Sequence, residues 1–70
     1  SPIKEVFFSV SSTDQVEHIS KHLNEDGQTI ININLLNDNK SLSFRLKNPR
    51  NLDRKTLNLL KKREIYSTII

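Results

Sequence analysis

TIININLLNDNKSLSFRL, residues 29–46, is the most regular stretch of the chain, and the fold class turns on it. Ile31, Ile33 and Leu35 alternate with Asn32 and Asn34; Leu42, Phe44 and Leu46 alternate with Ser43 and Arg45. Successive side chains of an extended chain point to opposite faces, so a period of two puts each apolar set on one side of a strand. Ile and Phe fit a pleated, half-buried surface. Between the two runs, Asn37-Asp38-Asn39-Lys40 supplies residue types that tolerate turn geometry. The stretch reads as a β-hairpin with one apolar and one polar face.

On the N-terminal side, Lys4 to Val10 reads as a strand with Val6, Phe8 and Val10 on one side and Glu5, Phe7 and Ser9 on the other. Phe7 is the odd residue on the polar side. Ser12 to Leu23 reads as a helix whose buried stripe is Val16, Ile19 and Leu23. Ser12 and Gln15 have capping-box spacing, and Asp14 and Glu17 sit where the helix dipole favours negative charge. Gly27, closing Asn24-Glu25-Asp26-Gly27, is expected in the left-handed conformation that a helix stop or tight turn needs. Past the hairpin, Pro49 breaks the sheet pattern. Asp53 is the expected N-cap of a second helix running to about Arg63, with Leu52 and Leu57 spaced as a hydrophobic staple and Leu57 and Leu60 inward. Ile65 to Ile70 reads as a last strand, whose alternation forces Ile69 and Ile70 to opposite faces.

The resulting order is βαββαβ, the ferredoxin-like α+β pattern: a two-layer sandwich in which an antiparallel four-stranded sheet carries two helices on one face. Half-apolar alternation, rather than solid apolar strands, leaves the other face open to water or a partner.

Length and composition bound the function. With 70 residues, the chain reads as a single small domain with a small core. Hydrophobic residues at 34% and charged residues at 27% are a globular balance. Ala, Cys, Met and Trp are absent, and abundant Ile, Asn and Lys look like AT-rich coding bias, so single Asn residues carry little functional weight. Without Cys there is no disulfide framework or thiolate metal site, which fits a reducing, cytoplasmic setting. No run has the length of a membrane span, and no secretory signal is visible. The Ser1-Pro2 start reads as a cut, making the chain the expected piece of a longer protein.

Candidate chemistry is sparse. His18 and His22 have i, i+4 spacing, yet two ligands do not close a metal site, and both read as a solvated helix face. One Gly leaves no phosphate-cradling loop, and no nucleophile elbow exists, so neither cofactor nor catalysis is expected of this chain. Charge is the stronger signal. Residues 1–39 carry net −4, whereas residues 40–70 carry net +7, including Lys40, Arg45, Lys47, Arg50, Arg54, Lys55, Lys61, Lys62 and Arg63. Within that set, Arg45, Lys47, Arg50, Arg54 and Lys55 are candidates for contact with nucleic acid or an acidic patch. The aromatics Phe7, Phe8, Phe44 and Tyr66 lack the Lys/Arg-Gly-Phe/Tyr signature of RNA-binding sheets.

The succession EVFFSV, VEHISKHL with Asp26-Gly27, IININLLNDNKSLSFRL, LDRKTLNLLKKR and a terminal apolar strand resembles the C-terminal domain of bacterial DNA polymerase III alpha subunits, across the whole chain. The resemblance implies a non-catalytic module, the polymerase carboxylates lying elsewhere in the parent. It also implies docking to the tau subunit of the clamp loader, with single-stranded DNA handled through the parent chain. By position, Leu57, Lys61, Lys62, Tyr66, Ile69 and Ile70 would be the contacts. Two other classes share the element order. A small-ligand domain resembling the ACT family would need a Gly-containing loop where Val10-Ser11-Ser12-Thr13-Asp14 stands. A basic nucleic-acid binder would use the charged half.

Overall fold

The computed structural model describes residues 2–70; Ser1, half of the start read as a cut, lies outside them. Strand β1 (Glu5–Val10), helix α1 (Thr13–His22), strands β2 (Ile30–Asn37) and β3 (Lys40–Arg45), helix α2 (Arg54–Lys61) and strand β4 (Tyr66–Ile69) follow in the expected βαββαβ order. Ile19 of α1 and Leu60 of α2 share one core with Val6 and Phe8 of β1 and Ile31 and Ile33 of β2, so both helices cover the same sheet face. The fold is a two-layer α+β sandwich.

The sheet departs from the antiparallel expectation. Its order is β3-β2-β1-β4, with β1 and β2 direct parallel neighbours and β3 and β4 antiparallel edges. Strand β3 therefore lies outside β2 rather than between β1 and β2. Alternation is blind to strand direction; the crossover through α1 is long enough to bring β2 back beside β1. The ladder starts where the Ile30 amide donates to the Lys4 carbonyl at 2.9 Å.

Local signals account for the elements. Ser12 Oγ accepts the Gln15 amide at 3.2 Å, and Gln15 Oε1 accepts the amide of Ser11, one residue before the cap, at 2.7 Å. Asp53 accepts the Thr56 amide at 2.8 Å and caps α2. That bond holds the Asp53 carboxyl below its ordinary value. A depressed carboxylate pKa contributes stability at pH above the usual Asp value, and the contribution is lost as pH falls through the folded-state value. The β2–β3 hairpin closes through Asp38 and Asn39 at φ 49° and 66°, two successive left-handed residues as a tight two-residue turn requires. The largest fully buried side chains are Phe8, Ile19, Ile31, Ile33, Ile65 and Val6. Each contributes roughly 1.5–3 kcal/mol of transfer free energy before ordering entropy is counted.

The loops before β2 and after β3 are locked together, and the lock corrects two expectations. Gly27 is not left-handed. It is required because a Cβ there would collide with the backbone of Arg50 and Asn51. Arg50, expected on a basic surface, is instead 6% exposed. Its Nη1 donates to the Ser20 and Leu23 carbonyls at 2.7 and 2.9 Å, satisfying acceptors at the C-terminal end of α1. Its backbone pairs with Thr29 in both directions, at 2.9 and 2.8 Å, and the Thr29 hydroxyl donates to the Ile3 carbonyl at 2.6 Å.

The lock can be tested by substitution. Arg50→Ala strips charged donors from buried carbonyls and is expected to cost about 2–4 kcal/mol; Gly27→Ala forces the two loops apart and is expected to cost at least about 2 kcal/mol. Against a total of roughly 3.5–10 kcal/mol for a chain this size, either variant shows a much lower urea midpoint, and a midpoint within error of the parent contradicts the lock.

At the other end of α2, the Ile65 amide donates to Leu60 and the Glu64 amide to Lys61, the two bonds of a Schellman stop, with Glu64 at φ 63° where Gly is usual. Glu64→Gly is expected to raise stability by up to about 1 kcal/mol, seen as a higher urea midpoint with unchanged slope. A lowered midpoint contradicts the assignment.

Candidate functional site

The sheet face away from the helices is uncovered, and its residues divide into two zones. On the β2–β3 side the face is polar and satisfies itself. Asn32 donates to Glu5 Oε2 at 2.8 Å and accepts from Arg45 Nε at 2.9 Å, while Arg45 Nη2 lies 3.4 Å from the same Glu5 oxygen. Asn34 Oδ1 accepts the Ser41 and Ser43 hydroxyls at 2.7 and 3.1 Å. These Asn side chains thus bond within the sheet itself.

The β1–β4 side is apolar. Phe7 pairs with Thr68, and Ser9 with Tyr66, placing Phe7 and Tyr66 diagonally on the open face. Ile70 follows on the same face, its amide donating to the Glu5 carbonyl at 3.1 Å. Phe7, Tyr66 and Ile70 are 43%, 53% and 69% exposed, which is unusual for large apolar side chains lying together. Leu36, also exposed on this face, faces Tyr66 across a hollow of about 370 Å³ at the end of β1.

The residues expected to contact a partner do not form one surface. Tyr66 and Ile70 lie on the open face. Ile69, opposite Val6, turns toward the helical layer, as the alternation requires, and remains partly exposed. Leu57 packs half-buried against the core. Lys61 and Lys62 stand exposed at the end of α2. Phe7 stands out in the sequence by its phase on the polar side; its adjacency to Tyr66 is not readable there, because it depends on which strand pairs with β1.

The basic set is scattered as well. Arg50 is engaged by the α1 carbonyls and Arg45 by Glu5 and Asn32. Lys47, Arg54 and Lys55 are exposed, on the β3–α2 loop and the first turn of α2. Among the described residues no continuous basic track crosses the aromatic pair.

The helical layer holds a second feature. The two helices pack on the sheet rather than tightly on each other, leaving a groove of about 480 Å³. Leu59 and Leu60 floor it, His18 and His22 flank it from α1, and Lys62 and Arg63 close it from the end of α2. His18 is therefore half-buried against α2, not on a solvated face, and its ring stacks on His22 at a centroid distance of 4.0 Å. Desolvation, then the charges of His22 and Arg63, hold the His18 imidazole below its ordinary pKa. Among the described residues no cluster of three or more His, Cys, Asp or Glu side chains is placed to hold a metal. Among them, too, no helix is long and apolar enough to cross a membrane. Comparison with protein-family models, with curated proteins and with solved structures returns no match.

Proposed function

We propose that the chain is a non-catalytic docking module of a bacterial replicative DNA polymerase alpha subunit, binding the clamp-loader tau subunit in the cytoplasm. The observation that carries the docking reading is the exposed trio Phe7, Tyr66 and Ile70 on an otherwise self-satisfied sheet face. Aromatic and aliphatic anchors of this kind supply most of the binding free energy at protein interfaces. The identity of the partner rests on the resemblance of the whole element succession, ending in LDRKTLNLLKKR and its apolar strand, to the last domain of the polymerase alpha chain. The scattered carboxylates, engaged as caps and surface pairs at Asp53, Glu5, Glu17 and Glu25, support a role without catalysis.

One observation favours a second reading: Phe7 and Tyr66 on an open sheet are the arrangement that single-stranded nucleic acids stack on. Local charge weighs against it, since the acidic Glu5 and Glu64 neighbour the pair and Arg45 is tied to Glu5.

Titrating the isotope-labelled chain with the C-terminal part of a tau subunit separates the readings. Amide shifts are expected at Phe7, Tyr66, Thr68 and Ile70, and Tyr66→Ala or Ile70→Asp is expected to weaken binding about tenfold or more. Absence of shifts overturns the tau assignment. Tighter binding to a single-stranded oligonucleotide, with an affinity that falls steeply with salt, replaces docking with the second reading.

A further inference from the structure

The groove between α1 and α2 lies on the helical layer, away from the open face, and stands on separate observations. Its walls are largely apolar, and Leu59 of α2, which lines it, is 53% exposed. An apolar floor left uncovered in this way suits an aliphatic or aromatic side chain from outside.

The rim is cationic. Lys62 and Arg63 make no ion pair among the described residues, whose pairs are Lys21–Glu17, Arg45–Glu5 and Arg50–Glu25. Among those residues, the carboxylate lining the adjoining hollow is Asp14, which shares it with His18 and Arg63. The depressed pKa of His18 is the response of an imidazole first to desolvation and then to the neighbouring positive charge. A bound carboxylate would reverse it.

We propose that this groove receives an acidic amphipathic peptide segment of a partner protein, seating an apolar side chain on Leu59 with carboxylates facing Lys62, Arg63 and the His18–His22 pair. Charge complementarity selects the acidic segment, and the floor selects a peptide over a nucleic acid: aliphatic Leu59 and Leu60 offer no aromatic face for a base to stack on. The His18 imidazole gains positive charge as pH falls, while Asp and Glu side chains of the peptide stay ionised. Binding therefore takes up protons and strengthens toward mild acid.

A short fluorescein-labelled peptide of Glu, Asp and Leu, with its Leu residues on one helical face, tests this by anisotropy against the 70-residue chain. Affinity is expected to rise severalfold between about pH 7.5 and about pH 5.5, with the His18 ring titrating at higher pH in the complex by NMR. Leu59→Ser is expected to weaken binding about fivefold or more. The double variant Lys62→Glu, Arg63→Glu is expected to cost about tenfold or more, while Lys40→Glu, Lys47→Glu, the same charge change on the hairpin side, costs less than about threefold. Equal losses in the two charge reversals, indifference to Leu59→Ser or to pH, or tighter binding of a single-stranded oligonucleotide through Lys62 and Arg63 would each overturn the proposal.

Discussion

The guanidinium of Arg50, in contact with the last carbonyls of α1, holds the fold's separate segments in register. A helix leaves its final carbonyls without intrahelical partners, and α1 ends against the protein rather than in water. Arg50 reaches Ser20 and Leu23 from a loop nearly thirty residues further on, so the end of the crossover helix is tied to the exit of the hairpin. The same loop pairs with Thr29, the residue before β2, and Thr29 in turn holds the Ile3 carbonyl just before β1. Four chain segments thus meet at one end of the sheet. The junction sits at the start of the parallel β1–β2 ladder, with β3 and β4 at the edges.

Close approach at this junction sets its residue requirements. The backbone of Arg50 and Asn51 sits where a side chain at position 27 would go, so the single Gly of the chain serves a contact rather than a turn. The left-handed positions are instead occupied by Asp38, Asn39 and Glu64. Asp and Asn tolerate that region better than most residues, whereas Glu64 carries the full steric cost of a Cβ there. The Schellman stop places Ile65 against Leu60 in the core, and that burial offsets the strain at Glu64. Local conformational cost is tolerated where it delivers an apolar residue to the core.

Much of this is legible in the sequence, and the division between what is and is not has a physical basis. Every element is readable because its signal is local: alternation in residues 29–46, the Val16/Ile19/Leu23 stripe, the Ser12 and Asp53 caps, the Leu52–Leu57 staple. Strand direction is not, because side-chain alternation is identical in parallel and antiparallel pairs. Arg50 reads as surface charge because a buried cation is uncommon and its acceptors are backbone carbonyls, which leave no trace in the sequence. His18 reads as solvated because its distance from the α1 stripe says nothing about α2 standing beside it. For the open face, Phe7 is visible as an anomaly of phase, but its neighbours Tyr66 and Ile70 become meaningful only once β4 is known to pair with β1.

The two layers therefore present different chemistry outward for a structural reason. On the sheet face, the polar residues of β2 and β3 bond to one another and Arg45 is neutralised by Glu5, so what that face offers a partner is chiefly apolar. On the helical face, Lys61 sits in the last turn of α2 and Lys62 and Arg63 just beyond, where the helix dipole favours them, and α1 brings two imidazoles rather than carboxylates to the facing wall. Charge that stabilises the end of α2 is consequently the charge that lines the groove. A partner recognising the sheet face would be selected by apolar fit and would be insensitive to salt. One recognising the groove would be selected by charge, because Lys62 and Arg63 have no counter-ion among the described residues, and by pH through the His18 imidazole.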